Sequence, residues 1–139
     1  MSKRHKARLA AFHILFESNL RDVSPIDILE KNGVGNISEA QYAHLLISGI
    51  SSHNSQITSA IQSYAQDWEI DRMPKVDFTI AQIATFEILY SNKIPGVEVD
   101  GAVAISEALL LAEEFSTPTS VNFLNGVLGR ILVVKEALI

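Results

Sequence analysis

The chain reads as an all-α protein, on three observations. Apolar residues recur with the 3.6-residue helical period along nearly its whole length. The breaks between those stretches carry helix caps and Gly or Pro. No apolar/polar alternation of strand length survives, and Val97-Glu98-Val99 is too short to build a sheet on. The 139 residues suit one domain, and 47% apolar with 19% charged residues is a globular composition.

About seven helices are predicted. The first covers 3–19, with Ser2 as N-cap and a stripe of Ala7, Ala10, Ala11, Ile14 and Leu15. Ser24 as cap and Pro25 at the first helical position open a short second helix to about Lys31. The run Asn32–Asn36, with two glycines, is a hinge rather than a linker between domains. Ser38 with Gln41 forms a capping-box pattern for a third helix carrying Tyr42, Leu45, Leu46 and Ile50. The Ser51–Ser55 cluster separates it from a fourth, from Ile57 to about Trp68. A connector with Asp71 and Pro74 leads to a strongly apolar helix near Val76–Ser91. After the Asn92–Gly96 loop a helix runs over about Val99–Glu114, and the 116–120 segment caps a last one ending near Leu138.

Several functions are excluded early. The absence of Cys removes disulfides, thiolate zinc sites and cysteine nucleophiles, and fits a reducing cytoplasm. His5, His13, His44 and His53 lack metal-ligand spacing. The basic start is not followed by the apolar core of a signal peptide, and no eighteen-residue apolar run spans a membrane.

Charge is divided along the chain. Lys3, Arg4, Lys6 and Arg8 crowd the first eight residues, whereas the net charge is −5 overall and thus −9 for residues 9–139. Such a leader attracts polyanions that the rest repels. Arg4 and Arg8 stand at i,i+4 and project together, enough with Lys3 to span two or three phosphates.

Two carboxylates break apolar helix faces. Glu87 falls inside the arc of Val76, Ile80, Ile83 and Ile88, and Glu107 lies between Val103, Leu110 and Leu111. Glu87 either bonds internally, to a nearby helix N-terminus, or marks an arc that reaches the surface and accepts donors from a partner. As an acid–base pair the two lack any nucleophile, phosphate loop or metal ligand beside them, so the chain does not read as an enzyme. Gly126 and Gly129 in the last helix are expected to let another helix approach closely.

Together these residues carry a family resemblance. The set comprises Arg4-x-Lys6-Ala7-Arg8, Trp68 before Asp71-Arg72, Asp77, Phe86-Glu87-Ile88-Leu89 and Ile94-Pro95. Val103-Ala104-Ile105-Ser106-Glu107-Ala108, Leu111-Ala112, Phe115 and Ser120-x-x-Phe123-Leu124-Asn125-Gly126-Val127-Leu128 follow. In that order and near that spacing they resemble the NusB family of transcription antitermination proteins over essentially the whole chain. The last block is the most specific.

The resemblance implies two small packed helical bundles, about 1–75 and 76–139, and neither catalysis nor a cofactor. It implies binding of single-stranded boxA RNA from ribosomal RNA operon leaders. It also implies a heterodimer with the ribosomal protein NusE that joins RNA polymerase and other Nus factors. By position, RNA contacts fall on Arg4, Lys6 and Arg8, with Lys3 added on charge alone. NusE contacts fall on Glu87, Phe115 and Phe123. The alternative is a self-association module, a homodimer for which RNA binding is incidental. The chain departs from the family pattern at Ser106, at Pro118 and Thr119 in place of an acidic pair, and at Phe78 and Gln82 in place of basic residues. Its Pro95–Val103 connection is also longer than usual.

Overall fold

Side-chain oxygens set most of the helix starts. In a computed structural model, which describes residues 2–65 and 68–137, Ser2 Oγ accepts the His5 N–H at 3.0 Å and opens α1, Lys3–Arg21. Ser24 caps α2, Pro25–Asn32, with Pro25 in the first turn, and Asp100 caps α6, Gly101–Phe115. Thr117 Oγ1 takes the Ser120 N–H at 3.1 Å, so Pro118 occupies the first position of α7, Pro118–Ala137. The ends are equally local: Asp22 adopts the left-handed conformation (φ 54°) after α1, and Gly33 (φ 67°) follows α2.

The remaining helices are α3, Ala40–Ser52, α4, Asn54–Tyr64, and α5, Lys75–Tyr90, with 3₁₀ turns at Ile70–Arg72 and Ser91–Lys93. Among the described residues there are seven α-helices and no strand. The α4 boundaries differ most from the expected ones: it starts at Asn54 rather than Ile57, so that only His53 of the Ser51–Ser55 cluster separates it from α3. α4 stops at Tyr64, ahead of Trp68, with 66–67 outside the described residues; the expected end of α7 at Leu138 also lies outside them. The Ser38–Gln41 capping box does not form. Glu39 stands at the N-cap of α3 without capping it, because its carboxylate is turned to Arg4.

α5 is the spine. Every residue from Asp77 through Ile88 is buried, and the helix packs against α1, α3 and α4 as well as α6 and α7. A helix enclosed on all sides has no solvent face for polar residues to occupy. Its polar side chains are therefore matched inside. Asp77, in the first turn, accepts the Ser116 and Ser120 hydroxyls at 2.7 and 2.6 Å, tying α5 to the α6–α7 junction. Asn19 of α1 donates to Thr79 and Gln82, both at 2.8 Å.

Gly126 and Gly129 do not mark a close helix crossing. Among the described residues, a Cβ at Gly129 would have nothing within 4 Å, and one at Gly126 would meet only the Arg130 side chain. The tight approaches lie elsewhere: a Cβ at Gly49 would run into the Phe86 ring, and one at Gly101 into Leu132.

Candidate nucleic-acid interface

α1 divides the four cations of its first two turns between two faces. Lys3 and Lys6 are exposed on the row that continues to His13, and among the described residues neither enters an ion pair. Arg4, His5 and Arg8 face the protein. Arg4 and Arg8 do project together, as their spacing predicts, but toward α3 and α5.

Arg8 is buried, 3% exposed, and is not available to phosphate. Its Nε lies 3.1 and 3.0 Å from the two Glu87 carboxylate oxygens and its Nη2 2.9 Å from Oε2, while Nη1 is 3.3 Å from Glu107. The Tyr42 hydroxyl also donates to Glu87. His5, buried beside them, places Nδ1 2.7 Å from the other Glu107 oxygen. One turn closer to the N-terminus, Arg4 Nε donates to Glu39 at 2.9 Å, and the guanidinium lies 4.1 Å from the Tyr42 ring centroid.

Electrostatics keep Arg8 charged in this dry setting. Burial alone would lower its pKa, but the hydrogen bonds and charge of Glu87, with smaller help from Tyr42 and Glu107, raise it above the ordinary value. Burial, reinforced by Glu87, pushes the Tyr42 hydroxyl well above the usual phenol range.

Glu87 is accordingly not a surface acceptor. It is 1% exposed, and its donors are the Arg8 and Tyr42 side chains rather than a helix N-terminus. Along the arc of Val76, Ile80, Ile83 and Ile88 the three isoleucines are buried and only Val76, at its start, is partly exposed, because α5 is enclosed from Asp77 onward. Phe115 and Phe123 are half-buried, so Glu87 does not join them on the surface. Phe115 stacks on Phe12, centroids 5.0 Å apart, and meets His13 edge-on; Phe123 packs on Trp68 at 5.2 Å. Phe78 and Gln82 are also interior, so their departure from basic residues removes no charge from the surface.

Sequence reasoning missed His5, Glu39 and Tyr42. A signal for the pairing was present: Arg8 shares an apolar arc with Ala11, Phe12 and Leu15, as Glu87 does with isoleucines. Two opposite charges on apolar faces are candidates for each other.

Where α1 meets the α5–α6 connector, Lys3, Arg4 and Arg8 share an open groove with Glu39, Glu98, Asp100 and Glu107. No cluster of His, Asp or Glu suited to a metal ion occurs among the described residues, and no helix there is long and apolar enough to cross a membrane.

Fold and cluster define a class: small helical proteins built on one enclosed helix, with an N-terminal helix clamped to it by buried ion pairs. The NusB family model matches residues 5–133. Two relatives, both called transcription antitermination protein NusB, are similar along nearly their full length. That of Salinispora arenicola is 44% identical over 136 residues, covering 94% of this chain and 96% of its own. That of Kineococcus radiotolerans is 37% identical over 139 residues, covering 99% and 98%. The solved NusB of T. maritima superposes with a TM-score of 0.83 at 30% identity, covering 96% of this chain and 92% of that one. A structure titled antitermination factors NusB and NusE in complex with dsRNA shares the fold, with TM-score 0.78, 23% identity and coverage of 96% and 98%.

The chain belongs to the NusB family of transcription antitermination factors, which are not enzymes.

Proposed function

We propose that this protein binds single-stranded boxA RNA of ribosomal RNA operon leaders, pairs with NusE, and enters the elongating RNA polymerase complex with other Nus factors in the cytoplasm. The observation that carries the RNA half is the outward row of Lys3 and Lys6, with the half-exposed Arg4 beside it, on an otherwise acidic protein. Arg8 and His5 are positioning residues: clamped to Glu87 and Glu107, they fix the rotation of α1 and so the direction in which the lysines point. The half-buried aromatics Phe115 and Phe123 are the anchors for NusE, aromatic side chains being the usual centres of binding energy. A neighbouring structure that holds NusB, NusE and RNA together supports the pairing.

So few cations give weak RNA binding alone, and NusE supplies the remainder. A gel shift with a short boxA-like RNA, with and without NusE, tests this. The account predicts a faint shift alone and a clear one with NusE; equal shifts, or none in either lane, reject it.

Self-association remains a second reading, favoured by Val103 and Leu110. They stand seven residues apart on one face of α6 and are 48% and 50% exposed. Light scattering at micromolar concentration, with and without RNA, separates the two readings.

A further inference from the structure

Arg4 and Arg8 are both bound to glutamates, but in different ways. The Arg8–Glu87 pair is sealed, with side chains 3% and 1% exposed. The Arg4–Glu39 pair is open to water, at 30% and 31%, and such pairs exchange partners at little cost. Glu39 engages only Nε of Arg4. The guanidinium is held in place independently by the Tyr42 ring beneath it, so it stays put if the carboxylate leaves.

Glu39 has somewhere else to go. It stands at the N-cap of α3 yet makes no capping bond, leaving the first N–H groups of that helix without a side-chain acceptor from it. A carboxylate turned toward a helix N-terminus is stabilised there. The segment leading to it contains Gly33 and Gly35, at φ 67° and 83°, where the backbone is least constrained by side chains.

We infer that Glu39 is an intramolecular competitor for the phosphate site at Arg4: it occupies the guanidinium in the unbound protein and is displaced by an RNA phosphate. This deepens the proposed function and rests on it. The consequence is a lowered affinity for short or isolated anions, since each must first displace a tethered carboxylate. It also leaves a signature in salt. Phosphate docking on Arg4 releases a cation from the RNA, but the Glu39 carboxylate set free beside the strand draws cations back, so Arg4 adds less to the salt slope than an unpaired arginine would.

The test is anisotropy titration of a labelled, short, boxA-like single-stranded RNA across a salt series. Glu39→Gln is compared with wild type, with Glu98→Gln (same charge change, same groove) and with Arg4→Ala alone and combined with Glu39→Gln. Glu39→Gln should bind roughly three- to fivefold tighter, with a log–log salt slope steeper than wild type by less than the ~0.7 of one whole phosphate. The gain should vanish on the Arg4→Ala background and not appear in Glu98→Gln. A gain of equal size in Glu98→Gln, or one that persists without Arg4, overturns the inference, as does unchanged or weaker binding. Lys3→Ala with Lys6→Ala tests the RNA surface separately. If that double variant binds as wild type while Glu39→Gln still tightens binding, the lysine surface fails and the competitor stands. The reverse pattern sinks the competitor alone.

Discussion

Arg8 and Glu87 hold each other where water is excluded, and neither can be changed without stranding the other. Removing one partner of a buried pair costs about 3–5 kcal/mol. Glu87→Lys, which sets a second cation against Arg8, should therefore unfold the protein at moderate temperature, read as lost helical circular dichroism. Lost partner binding in that variant would report folding and not an interface. Retention of wild-type stability would contradict the clamp. Tyr42 adds a pH dependence. Its hydroxyl is held protonated above its ordinary value of about 10 by burial and by Glu87. Its contribution is complete below pH 10 and is lost as pH rises beyond, where the unfolded chain releases the phenol proton and the folded chain keeps it. Urea midpoints should fall between pH 9.5 and 11, roughly, and less steeply in Tyr42→Phe. This cluster was only half legible in the sequence. The misplaced charges were visible, but their partners lie 79 residues apart, and helical periodicity says nothing about which faces meet.

At the scale of elements, most caps were readable because they depend on residues within one turn. The Ser38 box and the Ser51–Ser55 break were not, since Glu39 turns to Arg4 and α3 and α4 run on to His53 from either side. Ser2, Ser24 with Pro25, and Gly33 lie where local chemistry puts them. The burial of α5 was not readable from one arc: Thr79, Gln82 and Thr85 look like a polar face until five helices cover them. The two kinds of glycine make a paired test. Gly49→Ala must displace the Phe86 ring and should lose about 1–3 kcal/mol through overpacking. Gly129→Ala meets open space in mid-helix and should gain up to about 1 kcal/mol. Denaturant unfolding of both variants decides; a shift of the same sign in each would contradict the packing described. Thr85 offers a third case. Its buried hydroxyl has no hydrogen-bond partner among the described residues, so Thr85→Val should be neutral or slightly stabilising.

At the scale of the molecule, the division between a basic leader and an acidic remainder was correctly legible as charge and misleading as geometry. Four cations in eight residues looked like one patch; the helix turns two of them inward and leaves Lys3 and Lys6 facing water. Their separation follows from 100° per residue once one knows which side of α1 packs, and that is a tertiary fact. The interior arginine aims the helix, and the outward lysines meet the polyanion. The most direct measurement is the salt dependence of RNA affinity for Lys3→Ala/Lys6→Ala beside wild type, with thermal unfolding run on both. The account predicts an unchanged melting temperature and a log–log slope shallower by about 1.4, two phosphates at about 0.7 each. An unchanged slope with weakened or equal binding would contradict it.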